Sequence, residues 1–437
     1  MDILNLDELE VIEVKENEHD YLIKVESSPP FYCTYKGCYG TDFIKFGSKE
    51  VLYMDLPIHA KRVGVLFKQQ RYKCKECERT FRYTPYCFDD KRYMTVRLRN
   101  YIEEQSIKSN KTFVSIAEEI GLVEKTVRDV FSDYVSKLEN KYEFETPRFL
   151  GIDEIHILKR PRGILTNIKE RTILDLLNNR NKSTIEKYLS NLPNKNNVEC
   201  VSIDMWKPYK DAVEKHLPNS EIIVDKFHVV RMANNALDRV RKDLKSSLSR
   251  KERLTLKNDR FILFKRNSEL KPQERIFLDY WTNNFNNLGT AYKLKEDFFD
   301  IYNSPNEYIA KQKYEDWLSN ITDDVLYAYE PLITAMQNWN TEVFNYFSYR
   351  VTNAYTESLN NLIRVINRMG RGYSFDVLRA KILFSKGIRK VKRPKYSIST
   401  FEKVMDMPPN LMVSENLNID YGADITTIIQ KIEEGAL

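Results

Sequence analysis

A multidomain α+β protein is the expectation from three features of this 437-residue sequence. Two close cysteine pairs lie near the N-terminus, and a helix–glycine–helix pattern follows them. Short apolar strands, several ending in aspartate, then give way to a long helical stretch and a final helix carrying a glutamate. At roughly 100–200 residues per domain, the length accommodates two to four domains.

Composition narrows the classes. A hydrophobic content of 42% beside 30% charged residues describes a globular chain and not a disordered one. No apolar run approaches the ~18 residues that span a bilayer. The acidic start MDILNLDELE lacks the basic-then-apolar layout of a signal peptide. A cytoplasmic protein without a membrane partner is therefore expected, where six cysteines are too few for a disulfide framework. Net charge is +6 from 69 basic and 63 acidic residues, a weak pointer to nucleic acid. The basic stretches Arg231–Arg266 and Lys386–Lys395 fit either a phosphate-tracking surface or solvated helix faces.

The first element, residues 1–88, is a zinc-ribbon-like module. Cys33-x4-Cys38 and Cys74-x2-Cys77 are short pairs that each present two thiolates from one tight turn, and tetrahedral Zn²⁺ takes four such ligands. The intervening VLYMDLPIHAKRVGVLFKQQRYKC reads as two or three strands. A closed thiolate shell leaves no open position, so this Zn²⁺ is structural. His59 is an alternative donor that four available thiolates make unnecessary, whereas Cys87 and Cys200 have no close partner and read as buried thiols.

Residues 89–145 hold a helix-turn-helix in TFVSIAEEIGLVEKTVRDVFSDYV. Val114, Ile116, Ala117 and Ile120 form one apolar face, and Gly121 permits a tight turn. Val127, Val130 and Phe131 repeat at helical spacing. Lys125, Thr126 and Arg128 stay exposed at the start of the second helix, the part that reaches base edges in the major groove. A plain helical hairpin is the alternative.

The rest of the chain reads as residues 146–232 and 346–400 on either side of a helical stretch at 233–345, before a tail at 401–437. FLGIDEIHI is a strand whose alternation turns Asp153 and Glu154 to opposite faces. NVECVSIDMW leads to Asp204, and NSEIIVDKFHV to Asp225 and His228. With strands at Gly163–Asn167 and Arg171–Leu176 and two intervening helices, the order is β-β-β-α-β-α-β-α. That is the order of a ribonuclease H-like α/β fold, whose first and fourth strands are adjacent and parallel. Asp153 and Asp204 then converge, and NAYTESLNNLIRVINR supplies Glu357 from a later helix. Asn353, Asn360 and Arg364 share a polar face with Glu357. Asp225 competes with Asp204 for the second position, and Asp175 is a weaker competitor on the third strand. Three carboxylates are the hard oxygen ligands that Mg²⁺ (or Mn²⁺) needs for two-metal phosphodiester chemistry.

GIDEIHI, SIDMW-x-PY, VDKFHVV and NAYTESLNNLIRVINRMGRGYSF together resemble the ISL-three group of insertion-sequence transposases, from Cys33 to Lys386. That group joins a zinc finger and a helix-turn-helix to a DDE domain. It is also similar to the Mutator-like and hAT transposases, where C/D-x-x-H follows the second aspartate, as in Asp225-Lys226-Phe227-His228. The resemblance implies a DDE transposase that binds the double-stranded terminal inverted repeats of its element and joins them to target DNA. It also implies a homodimer, nucleoid-associated when on DNA, in which Asp225 and His228 assist the triad Asp153, Asp204 and Glu357. Trp281, Trp317 and Trp339 fall within the helical insertion that it implies, where core positions are expected more than base stacking. A non-catalytic DNA-binding regulator and a nuclease without strand joining are the alternatives.

Overall fold

The computed structural model describes residues 4–142 and 144–386. Beyond Lys386 it describes only Lys390–Val391, paired antiparallel with Ile419–Asp420. The tail at 401–437, apart from Ile419–Asp420, and most of the basic stretch Lys386–Lys395 thus lie outside the described residues. The chain forms two compact units, 1–143 and 144–437. No described helix is long and apolar enough to cross a membrane.

The first unit is built on β1 (Leu9–Glu16), β2 (Asp20–Ser27), β3 (Phe43–Ile58), β4 (Lys61–Cys74), β5 (Thr80–Arg82), β6 (Phe88–Asp89) and β7 (Met94–Thr95). The sheet order is β1-β2-β4-β3-β7-β6, with β5 on β4. Strict alternation along β4 buries Val63, Val65, Phe67 and Gln69, as a strand with one covered face requires. His59 and Ala60 turn the β3–β4 hairpin, both at positive φ (51° and 62°), which matches the twist of the strands they join.

Three helices follow: α1 (Val96–Ile107), α2 (Phe113–Ile120) and α3 (Glu124–Lys141). Thr112 and Ser115 cap α2 reciprocally, each side chain accepting the other's backbone N–H at 3.0 Å. Gly121 ends α2 at φ +70°, the left-handed turn for which glycine is suited. The buried face of α2 is Phe113, Ile116, Ala117 and Ile120, and Val114 is 47% exposed. The expectation for Val114 is therefore corrected. The spacing i, i+3, i+4, i+7 starts at Phe113, whose ring packs 4.9 Å from Phe131 of α3.

In the second unit, β8 (Phe149–Ile157), β9 (Arg160–Asn167), β10 (Thr172–Leu176), α4 (Lys182–Asn191), β11 (Cys200–Ile203), α5 (Lys207–His216), β12 (Glu221–Val224) and α6 (Lys226–Asp243) run in that order. Their sheet order is β10-β9-β8-β11-β12. The β8–β9 and β9–β10 pairs are antiparallel, and the β8–β11 and β11–β12 pairs parallel. Strand β11 is buried at every residue, as a parallel strand covered on both faces must be.

Eight helices then complete the segment before the last helix pair. They are α7 (Arg250–Asn258), α8 (Arg260–Phe264), α9 (Pro272–Asn284), α10 (Asn286–Ile301), α11 (Glu307–Ser319), α12 (Asp323–Asn338), α13 (Asn340–Phe344) and α14 (Tyr346–Tyr349). One continuous apolar core runs from Leu150 of the sheet to Val351 after these helices. Helix α6 passes unbroken through 232–233, tying the sheet to the helical segment. Trp281 and Trp317 are almost fully buried there. Their indole N–H groups donate to Asp259 and to the Leu294 carbonyl, both at 2.8 Å. Much of the basic stretch Arg231–Arg266 is engaged internally, with Arg241 buried against Asp238 and Arg266 paired with Glu296 and Asp300.

The closing helices are α15 (Ala354–Gly370) and α16 (Phe375–Lys386). Helix α15 packs on β8 and β9, and this close approach depends on Gly151. A Cβ at Gly151 would lie 2.5 Å from Thr166 Oγ1 and 2.6 Å from Asn353 Oδ1. Thr166 and Thr356 also share a hydroxyl hydrogen bond of 2.7 Å across this contact. Gly151→Ala is expected to destabilise the protein by about 1–3 kcal/mol through overpacking, measured as a lower urea midpoint. An unchanged midpoint would show that α15 yields freely.

Candidate active site and zinc site

Strand register explains why three aspartates meet. Cys200, Val201 and Ser202 of β11 pair with Phe149, Leu150 and Gly151 of β8, and Cys200 to Ile203 pair with Glu221 to Val224 of β12. Continued by one or two residues, the same register sets Asp153, in the middle of β8, in one row with Asp204 and Asp225, which follow the carboxyl ends of β11 and β12. Neighbouring strands lie about 4.8 Å apart, so the three aspartates are near neighbours across the sheet.

Asp153 is 2% exposed. One carboxylate oxygen accepts from Asn360 Nδ2 at 2.7 Å, and the other from the Glu154 backbone N–H at 2.6 Å. Burial, then the charges of Asp204 and Glu357, push its carboxyl well above the usual carboxylate range. Glu357 stands in the first turn of α15. Burial raises its carboxyl too; the His228 charge opposes this, and those of Asp225 and Asp204 add to it.

His228, in the first turn of α6, is the hub of the group. Its Nδ1 lies 2.9 Å from Asp204 Oδ1 and 3.5 Å from Asp225 Oδ2, and its Nε2 lies 3.9 Å from Glu357 Oε1. Burial disfavours the imidazolium, but contacts with Asp204 and Asp225 outweigh it and hold the pKa up at about 11. Ligand atoms of Asp153, His228 and Glu357 all lie within 4.8 Å of one another. Asp204 lies outside this set and touches it through His228.

Asp225 is completely buried, and its Oδ1 accepts the Asn353 backbone N–H at 3.0 Å, fastening the start of α15 to the end of β12. Asp175 is held by Arg379 at 2.7 Å, away from the row. Glu154 turns from Asp153 and pairs with Arg180. The sequence placed Asn353 and Asn360 on the Glu357 face but gave no sign that they hold Asp225 and Asp153. Their spacing of four before and three after Glu357 was the available signal. Hard oxygen donors crowded around a buried carboxylate suit a divalent cation such as Mg²⁺.

The cysteines form a second cluster. Gly37 turns at φ +81° between Cys33 and Cys38, and the Cys74 N–H donates to the Arg79 carbonyl at 3.0 Å across the other turn. Pairing of Phe43 with Cys74 brings the two turns together. Cys33 and Cys77 sulfurs lie 4.0 Å apart, and those of Cys38 and Cys74 3.6 Å. A tetrahedron with Zn–S bonds of about 2.3 Å has edges of about 3.8 Å, so these four thiols fit a structural Zn²⁺. His59 is not part of this cluster. It sits in the β3–β4 turn with its Nδ1 3.4 Å from the Tyr21 hydroxyl. Burial pushes the unpaired thiols of Cys87 and Cys200 up to about 12.

Lys125 and Arg128 are exposed on α3, and Thr126 is partly so. Arg128 pairs with Glu124 at 2.6 Å and lies over the Phe113 ring at 4.9 Å.

Comparison with known proteins places both parts of the chain among transposases. Residues 37–77 match the zinc-finger of the transposases of IS204, IS1001, IS1096 and IS1165, a span that holds Cys38, Cys74 and Cys77. A transposase for insertion sequence element IS1001 from Bordetella parapertussis is 24% identical over 331 residues, covering 73% of this chain and 80% of that protein. Residues 150–382, which carry the aspartate row, His228 and Glu357, match the transposase family of the ISL3 DDE group, and the chain belongs to that family.

Proposed function

We propose that this transposase binds the terminal inverted repeats of its element, cuts the DNA at those ends and joins the 3′-hydroxyls to target DNA. The observation that carries the reading is the row of Asp153, Asp204 and Asp225 closed by His228 and Glu357. In this reading residues 146–232 and 346–400 form a ribonuclease H-like catalytic domain around the helical segment 233–345. Residues 1–88 and 89–145 recognise the ends, with Lys125, Thr126 and Arg128 at base edges.

Asp153, Asp204 and Glu357 would hold Mg²⁺ or Mn²⁺, which supplies activation of the attacking oxygen and neutralisation of charge at the leaving one. The remaining work falls to the chain. Asn360 fixes the rotamer of Asp153, and Asp225 anchors α15 so that Glu357 meets the row. His228 holds Asp204 and Glu357 together by its charge. Processing two ends together calls for a homodimer or larger assembly.

The test is a labelled duplex carrying one element end, taken from DNA flanking the reading frame, incubated with purified protein, Mg²⁺ and a target duplex. Cleavage at the end and labelled end–target joints are expected. Cleavage without joints would leave a nuclease. Binding without cleavage in either Mg²⁺ or Mn²⁺ would leave a DNA-binding regulator, which has no use for a row of carboxylates.

A further inference from the structure

The cations on the sheet of the first unit divide into two groups. Toward β1 and β2 they are paired across strands: Lys24 with Glu50 at 2.7 Å, Lys61 with Glu16 at 2.6 Å, Arg62 with Asp20 at 2.6 Å and Lys68 with Glu26 at 2.7 Å. Toward the cysteine cluster they are not. Residues 31–49 and 69–82 hold eight lysines and arginines against three acidic residues. Of the eight, only Lys75 meets a carboxylate at ion-pair distance among the described residues, that of Asp42 at 3.1 Å.

Strand alternation gathers part of this charge on one face. Register sets Ile44 beside Lys73 and Arg71 beside Arg82, while Tyr72, Cys74 and Phe81 turn the other way and pack with Cys33. The first face is open. Ile44 and Phe46 are each 49% exposed, and Lys73 and Arg82 are exposed with them. Arg71 is already oriented, donating to Thr80 Oγ1 at 2.8 Å with its guanidinium 5.5 Å from the centre of the Phe46 ring. Three cations thus surround two apolar side chains on a surface that the unit's own packing leaves uncovered.

We infer that this strand face is a duplex-DNA contact separate from α3, seating phosphates on Arg71, Lys73 and Arg82 with Ile44 and Phe46 against the sugars between them. The inference rests on the function proposed above. Charge selects the occupant. A duplex presents one phosphate charge per about 1.7 Å of its axis, and cations held apart from carboxylates meet it without first breaking an ion pair. Helix α3 lies in the same compact unit and is assigned to the same duplex. Phosphate contacts fix position and carry no sequence information. The face therefore holds the element end in place, and base reading stays with Lys125, Thr126 and Arg128.

The test is a salt titration of binding by the full chain, without added Mg²⁺, to an element end and to an unrelated duplex of the same length. The double variant Lys73→Gln, Arg82→Gln is expected to lower the slope of log affinity against log salt by about 2, close to 0.9 per phosphate contact. At physiological salt it should weaken binding to both duplexes alike, by roughly 10- to 50-fold, because phosphates are the same in every sequence. Lys68→Gln removes a cation already paired on the same sheet and should leave the slope unchanged. In the parent, bound DNA should shield Lys73 from an acetylating reagent, a readout that depends on no variant. An unchanged slope in a double variant that keeps its zinc would overturn the inference, as would a Lys73 acetylated equally with and without DNA. Equal affinity of the parent for the two duplexes would instead sink recognition of the ends and leave this face a contact for any duplex.

Discussion

Asp153→Asn, Asp204→Asn and Glu357→Gln are each expected to cut DNA ends about 10³-fold more slowly or not at all, the order lost when one preorganised charged partner leaves an active site. Each change keeps the side chain's shape and removes the charge that a divalent cation requires. Binding of the ends should persist in a gel-shift titration, since recognition is assigned to residues 1–145. Asp225→Asn and Asn360→Ala should lose less, about 10–100-fold, because they hold α15 and Asp153 and do not meet the reacting atoms. His228→Ala belongs at the upper end of that range, given its contacts with both Asp204 and Glu357. Glu154→Gln should stay within about fivefold, as it loses one partly exposed ion pair. If Asp204→Asn still cuts while Asp225→Asn is dead, the second carboxylate is Asp225. If Glu357→Gln cuts normally, the triad is wrong.

Cys74→Ser is expected to take the purified protein from about one zinc per chain to none. The fold should respond locally. Cys33, Tyr72, Cys74 and Phe81 form a small cluster of their own, distinct from the sheet core of Ile23, Val65 and Phe67. Hydrogen exchange should therefore rise in residues 31–42 and 74–83 while β2 and the centre of β4 stay protected, because a thiolate-bound metal supplies the folding energy that so few apolar residues lack. Cys87→Ser and Cys200→Ser should keep their zinc. Freshly purified, unchelated protein without zinc would remove the metal from the account.

Sequence determined what depends on neighbours along the chain. Turn-forming residues between close cysteines, Gly121 between two helical repeats, and strands that end in Asp204 and Asp225 are local patterns, and local sterics and amphipathic period suffice to read them. Even there the phase of α2 slipped by one residue, since Phe113 and Val114 are both apolar and only packing against Phe131 chooses between them. Strand order already set Asp153 beside Asp204, but tertiary structure put Asp225 in the same row, because the register of β8, β11 and β12 joins residues 21 to 72 positions apart. It also made His228 a hub, spent Asp225 on anchoring Asn353 and buried the tryptophans of the helical segment. These are outcomes of long-range packing, where a side chain's role is set by what the rest of the fold brings against it.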